Sequence, residues 1–291
     1  MITTTSKDGC IAGNERFQRD HNARVYRRRD VVRRYQRAVS LDLAEAVVLL
    51  NHQPAFSGKD VLDIGVGTGR TTPYLAPLAH RYQAIDYSPA MVARFRQNFP
   101  EVPVELADMT DLGIFEDASF DFVLATNNVF DAVGHADRLQ TLREVRRVLR
   151  PHGMLIFSSH NRDVQNLGRR PALRLSRNPV TQLAFTAYWC MKLVNRARLA
   201  RRQLFTDEYA IVNDGAHHVA TLLYFIGPGN QQRQLADAGF ELLELFDKWG
   251  KPKTPGDSVA RSAWLFYVAA RTPDPVRSCR NEWSGNHEQK H

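Results

Sequence analysis

The sequence predicts an α/β fold built around a mostly parallel sheet, and three observations predict it. The run Val61-Leu62-Asp63-Ile64 reads as a buried strand, and Gly65, Gly67 and Gly69 follow at alternate positions. Segments patterned as strands and as helices then alternate to about residue 160, the rhythm of a sheet covered by helices on both faces. Prolines fall where this reading needs them. Pro89 stands at the first turn of a helix, and Pro151-His152-Gly153 breaks the chain before a strand.

In chain order, residues 1–13 are expected to be disordered. Residues 14–56 form an N-terminal helical cap, because Val31, Val32, Tyr35, Val39, Leu43, Ala46, Val47 and Leu50 recur at spacings of three and four. Residues 57–161 form a nucleotide-binding core. Its strands are expected near 60–65, 81–86, 103–107, 120–126 and 153–159, and its helices near 70–79, 89–98 and 135–149. The rhythm is lost in 162–215, an Arg-rich stretch with the aromatic patch Phe185, Tyr188 and Trp189, read as a mostly helical lid insertion. Residues 216–271 return to the core, with a strand over 218–226, a helix over 229–238 and strands over 240–246 and 262–270. A polar tail, 272–291, is expected to be disordered.

With 291 residues, 43% of them hydrophobic, the chain can fill one sizeable domain with a decoration, or two small ones. No apolar run approaches the roughly 18 residues of a membrane span. Cys10, Cys190 and Cys279 are isolated and odd in number, which suggests neither a disulfide framework nor a zinc site, so a cytoplasmic location and no metal are expected. The net charge of +8 comes from arginines clustered in 24–37, 169–177 and 196–202. Such clusters suit nucleic acid, a membrane surface, an anionic substrate or plain solvated helix faces. No ladder of base-stacking aromatics lies beside them, so nucleic acid is not the expected partner.

The strand–glycine–helix run implies an adenosine-type ligand. Glycines let the backbone turn sharply and a ligand come close. Asp86, ending the next strand about 20 residues on, stands where a carboxylate holds ribose hydroxyls. Asp63, two residues before the first glycine, discriminates among cofactors. A carboxylate there would repel a pyrophosphate, but it suits a ligand with an amine and a sulfonium, such as S-adenosylmethionine (SAM).

These segments resemble the class I SAM-dependent methyltransferases, in a bacterial small-molecule branch. The first motif is Val61 to Gly69, and the second is Ile85-Asp86-Tyr87-Ser88-Pro89-Ala90-Met91. Ala107-Asp108-Met109, Phe120 to Ala125 and Arg146 to Gly153 follow in the family's order. The likeness extends through Phe157-Ser158-Ser159-His160-Asn161, is weaker over 216–270, and has no named pattern in 162–215. It implies a Rossmann-like seven-stranded class I sheet, mostly parallel with an antiparallel last strand, plus N-terminal helices and a helical lid insertion. It also implies roles. Gly65, Gly67 and Gly69 pass under the cofactor, with Arg70 opening the next helix. Asp63 lies near its ammonium, and Asp86 accepts from the ribose. Tyr87 and Met91 pack on adenine. Asp108 and Met109 meet the adenine edge, and Asn127 meets the amino-acid part. Tyr35, and Tyr26 beside it, lie on helices that close over the site.

Methyl transfer asks for alignment and exclusion of water, and for a base only if the acceptor begins protonated. Asn128, His160 and Tyr188 are the catalytic candidates. Asn128, Phe130 and Asp131 are expected to face the reacting group, and Tyr209, His217 and His218 are further possible bases. The reading favours a small-molecule acceptor at N or O, with SAM as the cofactor and a homodimer as a possible state. Three alternatives stay open: intramolecular cyclisation of SAM to azetidine-2-carboxylate and methylthioadenosine, nucleic-acid methylation, and a regulatory SAM-binding module. The Asn/Asp-Pro-Pro-Tyr/Phe pattern of base-amino methyltransferases is replaced here by Asn127-Asn128-Val129-Phe130.

Overall fold

The structure, a computed structural model, describes residues 5–37, 40–169, 171–213 and 216–273. The helices are α1 (Thr5–Tyr26), α2 (Arg29–Arg37), α3 (Leu43–Asn51), α4 (Gln53–Phe56), α5 (Thr72–Leu75), α6 (Pro89–Asn98), α7 (His135–Val148), α8 (Pro179–Leu199) and α9 (Pro228–Asp237). The strands are β1 (Asp60–Ile64), β2 (Arg81–Asp86), β3 (Val104–Leu106), β4 (Phe120–Ala125), β5 (Leu149–Asn161), β6 (Leu204–Phe205), β7 (Tyr209–Val212), β8 (Leu223–Ile226), β9 (Phe240–Asp247), β10 (Pro252–Lys253) and β11 (Trp264–Arg271).

Seven strands form the expected sheet, in the order β9-β11-β5-β4-β1-β2-β3. Pairings through β5-β4-β1-β2-β3 are parallel. β11 is antiparallel to both β5 and β9, so the last strand slots between them. Successive side chains feed opposite layers. Leu62, Val123, Leu155 and Phe157 pack with Leu142 and Val145 of α7. Val61, Phe122, Leu124 and Ile156 pack with Val48 of α3, Phe56 of α4 and Phe95 of α6. Buried on both faces, these strands read in the sequence as largely apolar runs, interrupted by Asp63 in β1 and Asp121 in β4.

Local chemistry sets several ends. α3 opens with a reciprocal box in which Asp42 accepts from the Glu45 N–H and Glu45 from the Asp42 N–H. The Asn178 side chain accepts from Val180 and Thr181 at the start of α8. The helix expected over 70–79 shrinks to Thr72–Leu75, because Pro77 brings no N–H and its ring opposes a further turn.

Three expectations are corrected. Residues 5–13 are helical, since α1 begins at Thr5; residues 1–4 and 274–291 lie outside the described ones. The insertion is not mostly helical. After α8 it supplies β6 and β7, and β7 pairs antiparallel with β8, which extends β5 at His160–Phe225. The boundary drawn at 215/216 therefore falls inside a strand pair whose members, Tyr209 to Val212 and Leu223 to Ile226, are buried throughout. Thirdly, the strand expected over 218–226 begins only at Leu223, because His217, His218 and Val219 all take positive φ (46°, 66° and 60°) and cannot continue a ladder.

Candidate active site at the carboxyl ends of the strands

β1, β2 and β4 deliver their ends to one side of the sheet, and a cavity of about 380 Å³ opens there. Gly65, Gly67, Asp86, Tyr87, Met91, Asp108, Met109, Asn127 and Tyr35 all line it. α1 closes it with Arg19, Asn22 and Tyr26, and Arg27 follows just beyond the helix.

Asp86 organises the floor. Its Oδ2 accepts from the Gly67 N–H at 2.9 Å, and its Oδ1 from the Ser88 N–H at 2.8 Å. Each oxygen keeps a lone pair for a further donor. Burial pushes its carboxyl up to about 6, while the two N–H groups pull the other way. Gly67 sits at φ 60°, which aims its N–H at Asp86. Gly69, at φ 95°, is needed for packing, since a Cβ there would run into the Phe99 ring.

At the other end Asp108 is already engaged. Its Oδ1 accepts from the Thr110 N–H (2.9 Å) and hydroxyl (2.8 Å), and its Oδ2 meets Arg19 Nη2 at 2.5 Å. Arg19 also reaches Asp137 at 3.4 Å. α1 is held in place by two buried amides. Gln18 donates to the Val133 and Leu222 carbonyls (both 3.1 Å), and Asn22 to those of Ala132 (2.7 Å) and Leu222 (2.6 Å). Over the cavity, Tyr26 stands between Tyr35, Tyr87 and His217 at centroid distances of 6.4, 6.2 and 4.9 Å. Burial raises the Tyr35 hydroxyl to about 12 and lowers His217 to about 4, with the charges of Arg34 and His218 adding to the second shift. The Tyr87 hydroxyl and His217 Nδ1 are buried without a partner, so polar capacity is left over.

The structure does not bring the remaining predicted residues to the cavity wall. Asp63 lies beneath the loop, where its Oδ2 accepts from the Thr71 hydroxyl and from Tyr82 Oη at 2.7 Å. Burial raises its carboxyl to about 6, against those two hydrogen bonds. Arg70 clamps buried Glu45 through both guanidinium nitrogens, tying α3 to the loop. Tyr188, on α8, bonds His218 Nδ1 at 2.9 Å.

Asn128 and His160 form a second constellation beside Asn127. Asn127 and Asn128 take consecutive left-handed conformations (φ 57° and 58°), which asparagine tolerates. Asp131, fully buried, does not face a reacting group. Its Oδ2 accepts from the His160 N–H and meets His160 Nδ1, both at 2.6 Å. Its Oδ1 accepts from Ser159 Oγ (2.7 Å) and Arg138 Nη1 (2.6 Å). Arg138 is itself fully buried, and Gln231, Gln234 and Ser159 take its other donors. A carboxylate held by a buried guanidinium can only accept, so His160 carries its proton on Nδ1 and presents the Nε2 lone pair, 3.2 Å from Asn128 Nδ2. The Asn128 Oδ1 beside it is buried and unpartnered.

Arg19 and Arg138 escaped the sequence reading. The spacing Arg19, Asn22, Ala23, Tyr26 marks one helix face and is the available signal for the first. Arg138 looks like any surface cation of an amphipathic helix, and no local signal marks it.

Comparison with known proteins agrees with this geometry. Residues 62–157 match the family model described as a methyltransferase domain. A probable S-adenosylmethionine-dependent methyltransferase of Mycolicibacterium smegmatis is 35% identical over 114 residues, covering 39% of this chain and 42% of that protein. The chain thus spans less than half the length of this curated relative. An S-adenosylmethionine-dependent methyltransferase from Clostridium acetobutylicum shares the fold with a TM-score of 0.56 at 15% identity, over 80% of this chain and 93% of that one. So does the Burkholderia thailandensis 1,6-didemethyltoxoflavin-N1-methyltransferase, solved with 1,6-didemethyltoxoflavin and S-adenosylhomocysteine. Its TM-score is 0.50 at 18% identity, over 79% of each chain.

Proposed function

We propose that the protein is a SAM-dependent methyltransferase that methylates a small molecule, at a nitrogen or oxygen that begins protonated; the methyltransferase-domain match over 62–157 supports this reading. The observation that carries this is one sheet end holding both Asp86 and the His160–Asp131 pair. The cofactor fits the residues present. Asp86 has lone pairs to spare for a ribose diol, Gly65 and Gly67 put no side chain into the cavity, and Tyr87 and Met91 line it where an adenine would lie. Bound there, SAM supplies a methyl group already activated on a sulfonium.

The residues of the chain do the rest. His160 Nε2, once released by Asn128 Nδ2, takes the proton from the acceptor's O–H or N–H as the acceptor attacks. Asp131 keeps the ring in the competent tautomer and stabilises the imidazolium. The unpartnered Asn128 Oδ1 receives the acceptor's hydrogen-bond donor. Tyr26, Tyr35 and His217 exclude water. A cavity of this size, bordered by α1, suits a small acceptor.

The test is to incubate the protein with SAM alone and with a cell extract, and to identify the adenosine product. S-adenosylhomocysteine formed only with extract supports the reading. Methylthioadenosine formed without extract replaces it with intramolecular cyclisation, and no SAM binding by calorimetry removes it. His160→Gln is expected to slow turnover by about 10²–10⁴-fold with SAM affinity unchanged; unaltered turnover would remove the base.

A further inference from the structure

α8 is the largest element that the site leaves unexplained. Of its 21 residues only Leu199 is buried. Val180, Leu183, Met191 and Val194 are 76%, 72%, 38% and 48% exposed. With Ala184 and Ala187 they recur at helical spacing and share one face, about 21 Å long from Val180 to Val194. The opposite face meets the body, where Trp189 donates to the Pro171 carbonyl at 2.8 Å and Arg196 to that of Arg169 at 3.3 Å. Leu175, 83% exposed, lies in the irregular segment before this helix. A contiguous apolar patch of this kind marks an interaction surface.

Charge decides what covers it. Between Asp163 and Asp207 the sequence carries Lys or Arg at nine positions and no acidic residue at all. Among the described residues none of these cations forms an ion pair with a carboxylate. Arg198 continues the apolar face itself, five turns beyond Val180, and Arg201 and Arg202 follow. A second copy of this surface would bring cation against cation. A nucleic acid would satisfy the arginines but press Val180, Leu183 and Leu175 against phosphates. An anionic bilayer serves both parts, since apolar side chains enter the acyl boundary while arginine stems reach back to lipid phosphates. Among the described residues no helix is long and apolar enough to cross a membrane, so α8 would lie along the surface.

We infer that the α8 face and its flanking arginines dock this protein on an anionic lipid surface. This goes beyond the methyltransferase reading and does not depend on it. The test is sedimentation of the full chain with vesicles of phosphatidylcholine alone or mixed equally with phosphatidylglycerol. Mixed vesicles are expected to bind at least about tenfold more tightly, and the difference is expected to shrink as salt rises from about 0.15 to about 0.5 M. Leu183→Asp with Val194→Asp, or separately Arg198→Glu with Arg201→Glu, should each reduce binding about tenfold or more. An unchanged melting temperature shows that the variants are folded. Four results overturn the proposal: no sedimentation with mixed vesicles; equal sedimentation with both; a dimer in ultracentrifugation that Leu183→Asp dissociates; or tight tRNA binding that Leu183→Asp leaves intact while tRNA strips the protein from vesicles.

Discussion

The core strands and the insertion both use long apolar runs, and they point them in opposite directions. β1 and β4 are sealed on both faces, with Val61, Leu62, Phe122 and Val123 all at 0% exposure. α8 carries an apolar face of Val180, Leu183, Met191 and Val194 and buries only Leu199. The difference lies in what each element can find to pack against. A parallel strand between two helical layers has partners on either side. A helix appended to the sheet's end has one inner face, and its second apolar face is left for something outside the chain. Apolar patterning therefore shows that a surface must be covered, and only the fold shows whether the chain itself covers it.

Three experiments break or sharpen this contrast. The largest effect is expected in the core. Phe122→Ala, at a ring packed 5.3 Å from Phe56, should cost about 3–5 kcal/mol by denaturant unfolding. A loss under about 1 kcal/mol would mean that the two-layer core is not the stabilising unit.

The second concerns Asp86. Its folded carboxyl is raised to about 6, so in the free protein its protonated form is favoured below that pH. Bound ribose hydroxyls need the ionised form. SAM affinity should therefore fall as pH drops from 7 to 5, approaching about tenfold per pH unit below the folded value. Calorimetry across that range checks it, and Asp86→Asn should flatten the profile while weakening binding at pH 7. A profile that stays steep in the variant would place the titrating group elsewhere. The same shift gives a stability prediction of definite sign. A raised carboxyl favours folding fully below its unfolded value near 4, and that contribution is lost as pH rises through about 6. Asp63, raised likewise, adds to this loss.

The smallest effect belongs to α8. Leu183→Ala should change stability by no more than about 0.5 kcal/mol, because the side chain touches little in the folded chain. A loss comparable to that at Phe122 would show that the Leu183 face of α8 also packs against the body.

Legibility followed locality. Gly67 and Asp86 were readable because turn geometry and strand end fix them within one βαβ unit, and the Gly67–Asp86 hydrogen bond closes it. Asp63 was read toward the ligand and proves to be held beneath the loop by Thr71 and Tyr82, while its neighbour Ile64 lines the cavity. One residue of strand alternation made that difference. Asp131 was read as facing the reacting group and instead anchors His160, because Arg138 arrives from α7 to neutralise it. The Arg19–Asp108 pair joins residues 89 apart, a distance over which no local pattern carries information.

What the sequence alone determined was the order of strands and helices over 57–161, the glycine loop and the carboxylate that ends β2. These follow from periodicity and turn chemistry that act over a few residues. What only the tertiary structure decided was which buried charges meet, which histidine is oriented, how the insertion rejoins the sheet through β7 and β8, and which apolar face stays uncovered. Each of those depends on two distant segments arriving at one place, and a hydrogen bond of 2.6 Å between His160 and Asp131 exists only once β5 and the turn after β4 have been packed side by side.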